Sequence, residues 1–203
     1  MARPAEPEKR LELARQAVEV LEREGLDVPM SRIADALGVN RSTLLYHFPA
    51  RSHIVKTALE ALLLEQARSV LAAVDKHNHP IDRLYAQVRA VHAFHQGREA
   101  RIVFLSQAIA ASGERMADIV AAGNRVFEAH RRAAADRVRK GIADGEVVRC
   151  DADALVNLVR AVIDGLMVQR VVTGVELAPV HRLLWKHVLS PLKKKPKKRS
   201  ESR

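Results

Sequence analysis

Apolar residues recur at helical spacing along almost the whole chain. Leu11, Ala14, Val18 and Leu21 stand three or four positions apart, which predicts one buried face of a first helix from about Pro7 to Glu24, with Gly25 as its stop. A short second helix carries Ile33, Ala34 and Leu37, and a short third one turns Leu44 inward. Between them Gly38 supplies the positive φ or close approach that a sharp turn needs, and Val39 plugs the gap between the helices. Asn40 is expected to N-cap the third helix, leaving Arg41, Ser42, Thr43, Leu45, Tyr46 and His47 on or near its outer face. Two short helices joined at a glycine form the pattern of a helix-turn-helix, and their polar, aromatic edge suits a DNA groove.

The rest of the chain continues in helices. A fourth is predicted from Arg51 through Ile54, Ala58, Leu62 and Leu63 to about Val74, and a fifth from Pro80, well placed in a first turn, to near Gly97. A sixth runs from Arg101 to Ala111, and a long seventh from about Glu114 to Ala143 is stopped by Asp144-Gly145. Asp151 is the expected N-cap of an eighth helix that reaches about Thr173. Its Leu155, Leu158, Val159, Val162, Ile163, Leu166, Met167, Val171 and Val172 are too many for one face, so it should pack on two sides. A ninth, from about Pro179 to Leu189, carries Leu183, Leu184, Trp185 and Val188 before Pro191 breaks the pattern. The fold class is therefore all-α, with about nine helices and no internal repeat.

Composition narrows the classes of function. In 203 residues, 48% hydrophobic positions are enough for a real core. The lone Cys150 can form no intramolecular disulfide and anchors no metal cluster, so neither metal nor cofactor is expected. No signal-peptide pattern and no apolar run of membrane-spanning length occurs, which predicts a cytoplasmic protein with no membrane partner. The net charge of +10 is unevenly placed. Residues 1–60 balance nine basic against nine acidic side chains, whereas residues 193–203 hold seven basic and one acidic. That tail, Lys193-Lys-Lys-Pro-Lys-Lys-Arg199 and beyond, has nothing to pack with and is expected to be disordered. Placement matters more than the total. Arg32, Arg41, Arg51 and Lys56 bracket the third helix, with only Asp35 read as an acid among them.

The stretch Ile33-Ala34, Gly38-Val39, Thr43-Leu44-Leu45-Tyr46-His47-Phe48-Pro49 and Arg51 resembles the N-terminal motif of the tetracycline-repressor (TetR) family of transcriptional regulators. Gly141-Ile-Ala-Asp-Gly145 and Ile163-Asp-Gly-Leu166 are similar to its late-helix signatures. The resemblance implies a helix-turn-helix DNA-binding domain at residues 1–50, a ligand-binding and dimerisation domain at 51–192, and the basic tail at 193–203. It implies that Thr43, Tyr46 and His47 contact phosphates, that Arg51 stands in for the family's phosphate-contacting Lys, and that Arg41 and Ser42 approach base edges or phosphates. Ser31, Arg32, Asn40 and Leu45 complete the candidate DNA-binding set. Three positions depart from the family pattern: Leu45 replaces a Tyr, Ser31 an Arg, and Ala50 a capping Ser. The partners implied are a double-stranded operator with an inverted repeat, a second copy of the chain, and a small hydrophobic ligand whose binding releases DNA. Candidate ligand contacts are His92, His95, Phe104, Gln107, Phe127 and His130. Candidate dimer contacts are Leu158, Val162, Leu166, Arg170, Leu184 and Val188.

Rival readings are blander. His92 with His95, or His77 with His79, could ligate a metal, but no Cys or carboxylate cluster completes either site, and solvated or pocket-lining histidines are the favoured reading. Cys150 beside Asp151 reads as a loop thiol before a redox sensor. No nucleophile elbow, zinc-protease helix or phosphate loop is present, so no enzyme is expected. The alternative function is a non-specific, architectural nucleic-acid-binding protein driven by the basic tail.

Overall fold

A computed structural model describes residues 7–99, 101, 104, 107 and 113–194, and the backbone alone of 113–126. The expected sixth helix, except for Arg101, Phe104 and Gln107, lies outside the described residues, as does the tail beyond Lys194. The described elements are α1 (Pro7–Glu24), α2 (Met30–Ala36), α3 (Arg41–His47), α4 (Arg51–Val74), α5 (Pro80–His95), α6 (Gly113–Ala143), α7 (Ala152–Thr173) and α8 (Leu177–Leu184). No strand occurs among the described residues, only an isolated bridge between Val147 and Lys193. The chain forms two compact units: Met1–Arg68 with Gly97–Arg125, and Ser69–Gln96 with Val126–Arg203.

In the first unit α1 buries Leu13, Ala14, Ala17, Val18, Val20 and Leu21, while Leu11 is only partly covered. The buried face is thus wider than the expected stripe and rotated from it. Val28 just before α2, Ile33 and Ala34 of α2, Leu44 of α3, Phe48, Ile54, Val55, Ala58, Leu59, Ala61 and Leu62 of α4, and Phe104 are buried with them in this unit. A buried ion pair also lies here, Arg101 Nε to Glu22 Oε1 at 3.1 Å. Burial holds the Glu22 carboxyl above its ordinary value, a loss that outweighs the attraction of Arg101 and Arg98.

The second unit is built around Ile81, Leu84, Val88 and Val91 of α5, Ala135 and Val138 of α6, Val147, and Leu155, Val156, Val159 and Ile163 of α7, with Leu184 and Leu189 closing it. Asp151 caps α7 as expected, its Oδ1 accepting from the amides of Asp153 and Ala154 at 3.0 Å each. Gly141 is required for close approach, because a Cβ there would sit 2.8 Å from Val147 Cγ2 and 3.1 Å from Pro80. The last helix departs from expectation. Instead of running to Leu189 as α-helix, it widens into a π turn over Trp185–Leu189 and a 3₁₀ turn over Ser190–Leu192. Pro191 accounts for this, since its ring would clash with a carbonyl four residues back and it has no amide to donate. The chain then pairs with the turn after α6. Val148 N donates to Leu192 O and Lys194 N to Glu146 O, both at 2.8 Å, and Lys193 Nζ reaches both Asp82 oxygens at 2.7 and 2.8 Å.

His92 and His181 join α5 to α8 at the edge of this core. Their rings are parallel to within 1°, with centroids 4.9 Å apart and His92 Nδ1 only 2.7 Å from His181 Nε2, too close for face stacking, so they meet edge to edge. The tautomers follow from the partners. His92 Nε2 lies 3.0 Å from Ile163 O, which can only accept, so Nε2 carries the proton and Nδ1 accepts from His181 Nε2–H. Burial lowers both values, and proximity of His92 and then Arg89 adds to the effect on His181, which falls to about 4. Each folded value lies below the unfolded one, so this stabilisation is complete above about pH 6.5 and is lost as pH falls toward 4. The expected result is a loss on the order of 1 kcal/mol per pH unit in that window, measured by denaturant unfolding. His181→Gln, which keeps a donor without that titration, should shallow the slope; an unchanged slope contradicts the assignment.

Candidate nucleic-acid interface

The local geometry of the helix-turn-helix follows from one glycine. Gly38 has φ +65°, in the left-handed region, and ends α2 in a Schellman pattern: Val39 N donates to Ala34 O at 3.0 Å and Gly38 N to Asp35 O at 3.1 Å. Asn40 follows in extended conformation at the N-cap of α3, although its side chain makes no capping hydrogen bond. The expectation that it would cap through its side chain is corrected, while its position is as read. Leu44 points inward and is fully buried, as is Phe48, which Arg10 of α1 covers with its guanidinium 5.3 Å from the ring centroid. The inner edge of α3 is therefore locked.

Arg41, Ser42, Thr43 and Tyr46 are exposed, as are Ser31, Arg32 and Asn40; Leu45 and Arg51 are half-buried. His47 differs from its expected outer placement. It is 7% exposed, because it falls three residues after Leu44 on the same inward side, and its Nδ1 is buried with no hydrogen-bond partner. Its ring meets Tyr46 edge-on at 5.2 Å.

The charges around α3 are also not as the linear sequence suggests. Glu24, the last residue of α1, accepts from Arg32 through both oxygens, Nε to Oε2 and Nη2 to Oε1 at 3.1 Å each, and from Arg23 Nη2 at 2.9 Å. These hydrogen bonds, with Arg32 the stronger influence, hold its carboxyl below the ordinary range. Asp27, in the turn before α2, accepts from Arg51 Nη2 at 3.1 Å. Asp35 is thus not the sole acid among these cations. The sequence places Glu24 among the acids of the preceding helix but does not show its pairing with Arg32, nor that of Asp27 with Arg51, because these partners lie eight and 24 positions away.

The residues expected at a dimer contact divide. Leu158 is exposed, whereas Leu166 at 7% and Leu184 at 5% are buried within the protomer, and Val162 and Val188 pack against its core. Arg170 closes the end of α7, donating to Gly174 O and Val175 O at 3.1 Å each. On these two helices Leu158 is joined as exposed and apolar by Val168, Val171 and Val172 of α7 and Leu183 of α8. With exposed Ala161 and Gly165 they form a stripe at 158, 161, 165, 168 and 172, a spacing of about 3.5 residues that was legible in the sequence. The expected two-sided character of α7 is present, with the second side one step around the helix from the predicted set.

The candidate ligand residues differ in burial and in what they touch. His92 spends both ring nitrogens inside the fold, His95 and Phe104 are buried, Gln107 and His130 are exposed, and Phe127 carries the Arg160 guanidinium 5.1 Å from its ring centroid. A cavity of about 200 Å³ in the second unit is lined by Glu128, Arg131, Arg132, Asp153, Val156 and Asn157, none of them in the expected set. His79 caps α5, accepting from Ile81 N at 3.1 Å, and no group of three metal-ligating side chains occurs among the described residues. Burial, and secondarily Asp151, pushes the Cys150 thiol up, away from thiolate reactivity. No helix among the described residues is long and apolar enough to cross a membrane.

Comparison with known proteins agrees with this geometry. Residues 13–58 match the bacterial regulatory proteins of the tetR family. A protein from Saccharomonospora viridis in complex with choline superposes with a TM-score of 0.77, at 22% identity over 94% of this chain and 100% of the other. A TetR transcription regulator from Haloarcula marismortui gives 0.75, at 20% identity over 92% and 100%. AibR in complex with isovaleryl coenzyme A and operator DNA gives 0.58, at 16% over 76% and 83%. No match was found among curated proteins. Residues 13–58 therefore carry the helix-turn-helix segment of the tetR family, and the chain shares its overall fold with these solved structures.

Proposed function

We propose that the protein is a homodimeric repressor that binds an inverted-repeat operator and leaves it when a small organic ligand binds the C-terminal part of the chain. Residues 1–50 are the DNA-binding domain in this reading. The observation that carries it is the row of Arg41, Ser42, Thr43 and Tyr46, exposed on α3 and backed by buried Leu44 and Phe48. A short helix so braced enters a major groove with its N-terminal residues at base edges. Arg41 and Ser42 then read bases or adjacent phosphates. Ser31, Arg32, Asn40, Thr43, Leu45 and Tyr46 form the groove-facing edge, and Arg51 holds a phosphate. His47 supports Tyr46 from beneath rather than touching DNA itself. Dimerisation is supported by the apolar stripe of α7 and by Leu183, which would otherwise stay in water. Ligand response is supported by fold neighbours that hold choline or isovaleryl coenzyme A.

Removal of one phosphate contact has a defined signature. Arg51→Ala should lower affinity for every duplex and reduce the slope of log affinity against log salt by about 1, with base preference unchanged. An unchanged affinity and slope would show that Arg51 is away from the backbone. If the basic tail drove binding instead, removal of residues 195–203 would abolish it while Arg41→Ala had no effect.

The stripe gives a separate prediction. Val168, 56% exposed in the protomer, can become Arg without disturbing the protomer's core. Val168→Arg should give a folded, helical monomer in native mass spectrometry where the unaltered chain is a dimer. A wild-type monomer at micromolar concentration would exclude the dimer.

A further inference from the structure

Three arginines lie on the DNA-facing side of the helix-turn-helix, and their pairing differs. Arg32, in the first turn of α2, is gripped through two hydrogen bonds by Glu24; Arg51, the first residue of α4, is gripped by Asp27. Arg41, at the start of α3, has no carboxylate partner among the described residues. Both acids come from one short stretch, the end of α1 and the turn that follows. A carboxylate presents a guanidinium with nearly the geometry that a phosphate does. The two arginines flanking the recognition helix are therefore already occupied by a substitute for phosphate, while the arginine on the helix itself is not.

We propose that Glu24 and Asp27 are positioning residues that throttle DNA affinity by holding Arg32 and Arg51 as intramolecular substitutes for phosphate contacts. The inference rests on the reading that this face docks on DNA. Docking must exchange each carboxylate for a phosphate oxygen, so the free state is stabilised at the expense of the complex. Because phosphate contacts carry no sequence information, the effect falls on all duplexes alike. Each pair lies at the surface, where such pairs are weak, so releasing one should raise affinity by about two- to fivefold. A moderate affinity keeps the complex reversible.

The test is a double-mutant cycle read by binding to a random-sequence duplex and to a duplex recovered by selection. Asp27→Asn and Glu24→Gln should each raise affinity for both duplexes by about two- to fivefold, leaving their ratio unchanged. In an Arg51→Ala background the gain from Asp27→Asn should disappear, which plain charge repulsion would not produce. Asp27 is fully exposed, so its variant does not put folding at stake. Unchanged or reduced affinity in both variants, a gain on one duplex only, or a gain that persists in full without Arg51 would each overturn the proposal. Failure of the underlying reading is distinguishable, since Arg41→Ala would then leave binding to the selected duplex intact.

Discussion

The DNA-binding end of this protein depends on one backbone turn. Gly38, at φ +65°, lets α2 stop in two closing hydrogen bonds and sends the chain directly into α3. An L side chain at that angle carries a steric cost of about 1–2 kcal/mol, so the turn belongs to glycine. Once α2 and α3 are set at that junction, Ile33, Ala34 and Leu44 are buried together with Phe48, and Arg41, Ser42, Thr43 and Tyr46 of α3 are left facing outward. The recognition surface is thus a consequence of what the helix pair buries.

That surface is electrostatically restrained. Net charge is zero over the first 60 residues, and the structure shows acids at the end of α1 and in the turn after it paired with basic residues beside α3. In the second unit the constraint is of the opposite kind. One side of α7 saturates the core with Leu155, Val159, Ile163 and Leu166, while its other side leaves Leu158, Val168 and Val172 in water. Burying that side against a second copy would resolve the only feature of α7 that the protomer leaves costly.

Local signals were legible. Gly38, the Asp151 cap and the ranges of α1, α4 and α7 follow from residue spacing and helix-end chemistry, which act over a few positions. What was not legible acts over distance or competes with a local rule. Asn40 has the right residue type for a capping bond and does not make one. His47 is polar, yet its register after Leu44 places it inward. His92 reads as a ligand contact until His181, 89 positions later, takes up its second nitrogen. The end of the last helix widens because Pro191 acts backward on the preceding turn. The apolar stripe of α7 was present in the sequence, but a spacing of four residues was read where the exposed side follows about 3.5.

The central claim is that α3 reads a specific sequence as one of a pair. Selection of bound duplexes from a random pool, with the full chain at moderate salt, tests it most directly. The account predicts enrichment of an inverted repeat with half-sites centred about 34 to 36 Å apart or somewhat wider, and its loss when Arg41 is replaced by Ala. Recovery of no common sequence, or of the same sequence without Arg41, would contradict it.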